Sequence, residues 1–188
     1  MRILAVDPAI RKPQAYSIWV DEKLQDWGEV ELEQFLSWIG RTRPCPDWVF
    51  CEGQYSGVNA RDTIRLARIS GRIEQKARDV AAAFVVLNPL DWQRRIFGRK
   101  ARPIRAVGRT GRAQAIARGF IVEARLVTRE HISPDCVEAI LVGAAAVGCV
   151  HGCSVTGKAL VVCGAGARPT SRGGAPCQTQ RISPKRST

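Results

Sequence analysis

Residues 2–8 read Arg-Ile-Leu-Ala-Val-Asp-Pro. An apolar run of strand length ends in Asp7, and Pro8, which has no N–H to donate, stops the ladder there. A carboxylate at the tip of a buried strand is held rigidly and clear of the apolar layer. That placement suits binding a hard cation or activating a water. It equally suits a turn aspartate that simply closes a strand. The choice depends on whether other acids reach the same point.

Residues 47–52, Asp-Trp-Val-Phe-Cys-Glu, repeat the pattern, with Gly53 directly after the terminal carboxylate. Continuous apolar runs of this kind are those of buried parallel strands. As neighbours in a parallel sheet, the two strands bring Asp7 and Glu52 out side by side at its C-terminal edge, where α/β folds bind ligands. Two more acids open the last apolar segment. Residues 133–138, Ser-Pro-Asp-Cys-Val-Glu, form a capping-box-like helix start with proline first, and place Asp135 and Glu138 on one face of the first turn. Acids in a first turn also favour the helix macrodipole. Residues 139–147 are almost wholly apolar and small, so this helix is expected to lie buried against the sheet. Asp7, Glu52, Asp135 and Glu138 together supply the four carboxylates that a divalent-metal nuclease uses.

The intervening chain fits one α/β domain. Residues 14–20 alternate as a second strand, and residues 26–30 give a short third, completing a meander. Leu32, Phe35, Leu36 and Ile39 recur at helical spacing, with Gly40 placed to stop the helix. Asn59 is placed to cap a helix of about 20 residues with Ile64, Ala67, Gly71, Ile73 and Ala77 as its buried stripe. The other face carries Arg61, Arg65, Arg68, Arg72, Lys76 and Arg78, either as a solvated face or as a phosphate track leading to the carboxylates. Residues 82–87 read as a further buried strand, and a short helix starts at Pro89. Residues 94–112 hold eight Lys/Arg and no acid, broken by Gly98, Pro103, Gly108 and Gly111, a composition that orders against phosphates. Residues 113–120 are again helical.

Composition narrows the partner. The 188 residues carry a net charge of +12, and residues 151–188 supply half of it with six Lys/Arg and no acid. The remaining half belongs to the domain itself, which favours a polyanion, most often nucleic acid. Residues 1–149 are expected to form the folded domain and residues 150–188 a basic, disordered tail that adds non-specific DNA affinity. Asp7 interrupts the N-terminal apolar run too early for a signal peptide, and no stretch is long enough to span a bilayer. Seven cysteines, partly within apolar runs, match a reducing compartment, so a cytoplasmic, nucleoid-associated location is expected. Cys149, His151, Cys153, Cys163 and Cys177 do not have the spacing of a zinc ribbon or finger.

Three blocks taken together resemble the RuvC-type Holliday-junction resolvases of the RNase H-like superfamily, in a phage or prophage version. Residues 3–8 are similar to that family's first strand with its Asp-Pro-Gly. Glu52-Gly-Gln-Tyr55-Ser-Gly-Val-Asn59, followed by Arg65, Leu66 and Gly71, resembles its second-acid block. Asp135-Cys-Val-Glu138-Ala-Ile-Leu-Val-Gly resembles its closing Asp-x-x-Asp-Ala helix. The resemblance implies an α/β fold with a mixed five-stranded sheet flanked by helices, acting as a homodimer on a four-way DNA junction. It implies that Asp7, Glu52, Asp135 and Glu138 hold two Mg²⁺ or Mn²⁺ ions, one for the attacking water and one for the leaving 3′ oxygen, in a hydrolysis that leaves 5′ phosphates. It also implies that Tyr55 stacks on an unpaired base near the junction centre, and that Asn59, Arg65, Arg68, Arg99, Lys100, Arg105, Arg109 and Arg112 contact DNA. Ala9 and Glu138 depart from the family's usual glycine and aspartate, and His131 lies just before the last acids. Another RNase H-like nuclease, cutting flaps, forks or RNA–DNA hybrids, would use the same carboxylates. A non-catalytic DNA-binding relative is the third alternative. Neither a membrane nor a small-molecule substrate is expected, and no glycine-rich phosphate loop supports an ATPase.

Overall fold

A computed structural model of the chain describes residues 1–53, 59–98, 107–126 and 131–150. Its central strand is β1 (Arg2–Asp7), which pairs antiparallel with β2 (Gln14–Val20) and parallel with β4 (Trp48–Glu52). The sheet is completed by β3 (Lys23–Val30), antiparallel to β2, and β5 (Ala83–Leu87), parallel to β4, in the order β3-β2-β1-β4-β5. This is the mixed five-stranded sheet that the family resemblance implies. The third strand begins three residues earlier than expected. Asp21 and Glu22, with φ of 47° and 69°, turn the chain in two residues, so Lys23 already pairs with Val20.

The period of two along each strand separates two cores. Ile3, Ala5 and Phe50 face one layer of helices, whereas Leu4, Val6 and Val49 face the other. The second layer consists of α1 (Leu32–Arg41) and α2 (Ala60–Asp79). The first consists of α3 (Pro89–Phe97), α4 (Gly111–Glu123) and α5 (Pro134–Val150). Trp92, Ile140 and Leu141 are fully buried in that layer, where each side chain contributes roughly 2–3 kcal/mol by transfer from water.

Twelve of the seventeen residues of α5 are buried, which makes it the central helix of the molecule. Its backbone touches the sheet through a polar seam. Trp19 Nε1 donates to Ser17 Oγ over 3.0 Å, and Ser17 Oγ donates to the carbonyl of Ala139 over 2.8 Å. At Gly143 a β-carbon would fall 2.0 Å from Trp19 Nε1, so only glycine lets the helix approach this closely.

Two helices depart from expectation. α1 runs through Gly40 and ends at Arg41, because Thr42 rather than the glycine leaves the helical conformation. In α2, Ile73 and Ala77 are buried as expected, but Ile64, Ala67 and Gly71 are exposed. The stripe that faces the core continues through Ile69 instead. Asn59 caps α2 as expected, accepting from the Asp62 amide over 2.9 Å.

Candidate metal centre

The strand period that separates the cores also aims the acids. Asp7 follows Ile3 and Ala5 in phase, and Glu52 follows Phe50, so both carboxylates project toward α5. Val6 pairs with Cys51, which sets the two acids at neighbouring positions on the C-terminal edge. Ser133 begins α5 by accepting from the Cys136 amide over 3.1 Å, and its hydroxyl donates in turn to Glu29 on β3. Cys136 cannot return the second bond of a capping box, so this start is half of that motif. With the helix start fixed this way, Glu138 reaches the two strand acids. Carboxylate oxygens of Asp7, Glu52 and Glu138 lie within 4.8 Å of one another.

Each of the three is held by its own scaffold. Glu52, at 7% exposure, accepts from the buried indole of Trp92 over 2.9 Å. Glu138 accepts from the backbone N–H of Gly108 over 2.9 Å. That amide lies in a 3₁₀ turn, Val107–Arg109, whose carbonyl at Gly108 accepts from Gln114 over 2.7 Å. A β-carbon on Gly108 would fall 2.0 Å from the carbonyl oxygen of Pro134, so glycine is required for the turn to dock on α5. Behind Asp7, the buried amide of Gln14 ties down the following turn. It accepts from the N–H of Ala9 over 3.0 Å and donates to the carbonyls of Ala9 and Lys12 over 2.9 and 3.2 Å. Ala9, where the resemblance leads one to expect glycine, is accommodated by this clamp.

The electrostatics favour a cation. Burial, followed by the charges of Glu52 and Glu138, holds the Asp7 carboxyl well above its usual range. Burial and then Glu138 push Glu52 up to about 7, against the lowering effect of its bonds to Trp92 and Asp7. Glu138 is also raised, chiefly by burial, although Gly108, Arg109 and Lys12 act the other way. Burial and the proximity of the other acids favour the protonated form at Asp7 and Glu52 alike. Three converging carboxylates in that condition fit a hard, oxygen-preferring divalent cation, which would take over from the proton.

The fourth predicted acid stands apart. Asp135 is on the same helical turn as Glu138 but is not part of the close group; its Oδ2 meets Lys12 Nζ at 3.0 Å. His131 is exposed just before the helix.

The predicted DNA contacts divide into several kinds. Tyr55, Arg99, Lys100 and Arg105 lie outside the described residues. Asn59 is committed to its cap, since its Nδ2 also donates to Asp62 over 2.8 Å. Arg65 pairs with Asp62 at 3.7 Å. Arg112 stacks its guanidinium 5.3 Å from the centre of the Phe97 ring. Arg68 and Arg109 are exposed. The basic face of α2 is more neutralised than its sequence suggests. Arg72 pairs with Glu33 of α1, Lys76 with Asp79 and Arg78 with Glu74, which leaves Arg61 and Arg68 without an acid among the described residues.

Sequence reasoning did not single out Trp92, Gly108, Gln14 or Lys12. Gly108 was visible only as a chain breaker and Gln14 as the first residue of a strand. Neither the donor to Glu52 nor the clamp behind Asp7 leaves a local pattern, because its partners are distant along the chain or part of the backbone.

No protein-family model matches the chain, and no curated protein does. Solved structures do match it. The structure of Thermus thermophilus RuvC superposes with a TM-score of 0.61 at 16% identity, covering 85% of this chain and 100% of that one. The same protein in complex with a Holliday junction substrate gives 0.59 at 15% identity, covering 85% and 99%. The fowlpox virus Holliday junction resolvase gives 0.50 at 18% identity, covering 80% and 99%. The chain therefore has an RNase H-like fold. Within that class its architecture is that of RuvC, over the whole length of the Thermus protein. Among the described residues, no helix is long and apolar enough to cross a membrane.

Proposed function

We propose that the protein is a metal-dependent endonuclease that resolves four-way DNA junctions by paired phosphodiester hydrolysis, leaving 5′ phosphates. The observation that carries this reading is the convergence of Asp7, Glu52 and Glu138, within 4.8 Å of one another, on the strand edge of a RuvC-like fold. Junction-resolving enzymes with that fold, from Thermus and fowlpox virus, supply the substrate class.

In this reading Asp7, Glu52 and Glu138 hold a divalent cation and Asp135 contributes to a second. Bound Mg²⁺ or Mn²⁺ supplies an activated water and charge stabilisation of the leaving 3′ oxygen. The chain's own residues do the positioning. Trp92 and the Gly108 amide each hold one oxygen of a ligand carboxylate, which limits the freedom of both side chains to swing. Gln14 keeps the turn after Asp7 from drifting. Burial of Glu52 keeps bulk water from competing for the ligands. Arg61, Arg68 and Arg109 remain available for phosphates, and residues 94–112 and 151–188 add positive charge. A homodimer would present two such centres to the symmetric strands of a junction.

Incubation of the protein with an end-labelled four-way junction, a flap and a plain duplex in Mg²⁺ or Mn²⁺ tests this. Paired symmetric nicks confined to the junction are expected. Equal cutting of the flap would make the protein a broader structure-selective nuclease, and binding without cutting would remove the enzymatic reading.

A further inference from the structure

The turn after Asp7 carries a cation to the edge of the carboxylate cluster. Lys12 Nζ meets Asp135 Oδ2 at 3.0 Å, and its charge also reaches Glu138. Lys12 is 61% exposed and Asp135 26% at the side chain, which by itself would describe an ordinary surface ion pair. The backbone distinguishes it. Gln14, at 1% exposure, donates to the carbonyl of Lys12 and holds both polar groups of Ala9, so the loop that bears the ammonium is fixed from within the core. The result is asymmetric. Asp7, Glu52 and Glu138 converge on one another, while Asp135, three residues before Glu138 on the same helix, is paired with an ammonium instead. With Oδ2 of Asp135 held 3.0 Å from an ammonium, a divalent ion drawn to that carboxylate must compete with a positive charge already beside it.

We propose that Lys12 is a positioning residue that serves as an internal counter-ion to Asp135, so that the free protein takes one divalent cation on Asp7, Glu52 and Glu138 and completes a second position only when Lys12 releases Asp135. This rests on the metal-nuclease reading above. It predicts that the two positions differ in affinity before any DNA is present, and that Lys12 sets the difference.

The test is Mn²⁺ binding to the full-length protein without DNA, followed by the electron-paramagnetic-resonance signal of free Mn²⁺ and by calorimetry. Wild type, Lys12→Met, Lys12→Arg and Glu52→Gln are compared. Wild type is expected to show one tighter and one weaker ion. Lys12→Met, which keeps the apolar stem and removes the charge, should tighten the weaker ion about threefold to fivefold, the worth of a partly exposed ion pair, and leave the tighter one unchanged. Lys12→Arg should behave as wild type. A Lys12→Met protein whose weaker ion is unaltered, or weaker still, would overturn the role given to Lys12 while the nuclease reading stands. A wild type that binds no Mn²⁺, or a Glu52→Gln protein that binds as wild type does, would overturn the metal centre itself and this proposal with it.

Discussion

The indole nitrogen of Trp92 donates to Oε1 of Glu52 over 2.9 Å, inside the core and between two residues forty positions apart. This bond fixes one oxygen of a carboxylate that burial alone would drive to neutrality. In Trp92→Phe the carboxylate keeps its burial and loses its donor. We expect a stability loss of about 1–3 kcal/mol, the usual cost of stranding a buried polar group, together with a several-fold weaker affinity for Mn²⁺. Chemical denaturation and Mn²⁺ titration measure the two effects. Unchanged metal affinity would show that Trp92 only fills space.

Stability of the metal-free protein should fall as pH rises. Glu52 titrates near 7 in the fold against an ordinary 4.5, and Asp7 and Glu138 are shifted in the same direction. Between the ordinary and the folded value the native state binds more protons than the unfolded one, so its stability is greatest below that window and is lost as pH climbs through it. Glu52 alone accounts for a change on the order of 3 kcal/mol. Thermal melts of the metal-free protein from about pH 5 to about pH 8 should therefore show a declining midpoint, flattened in Glu52→Gln. Added Mg²⁺ or Mn²⁺ should raise the midpoint more at the alkaline end, where the ligands have lost their protons. A midpoint that rises with pH in the metal-free protein would contradict this.

The two arginines Arg68 and Arg72, four residues apart on α2, should differ in DNA binding. Arg72 is already engaged with Glu33 at 2.8 Å, whereas Arg68 has no acidic partner among the described residues. Arg68→Ala should weaken junction binding several-fold and reduce the salt slope by about 0.9, the contribution of one phosphate contact. Arg72→Ala should leave both nearly unchanged. Fluorescence anisotropy across a salt series separates them, and equal losses would mean that the ion pair opens on DNA.

The architecture was legible in the sequence wherever an apolar run ended in a charge. β1 and β4 announced both their burial and their terminal acids, and α5 announced itself by an apolar stretch behind Ser133 and Pro134. α2 was less readable, because apolar residues occur on two of its sides. Ile64 and Ala67 mimic a core stripe, yet the sheet receives Ile69, Ile73 and Ala77. The ion pairs of that helix were also hidden, since Glu33 comes from a different helix. At the site, the carboxylates were legible by type and position. Their supports were not, because an indole, a backbone amide and a buried glutamine gain meaning only through partners that the fold brings to them.

The central claim is that these carboxylates cut DNA, and the most direct measurement is a pair of assays on Asp7→Asn with a labelled four-way junction. The substitution removes a ligand but leaves the basic surface intact, so junction affinity in the absence of metal should stay within about twofold of wild type, while cleavage in Mg²⁺ or Mn²⁺ falls by at least about a thousandfold. Cleavage that persists in Asp7→Asn at the wild-type rate would contradict the account and place the chemistry elsewhere.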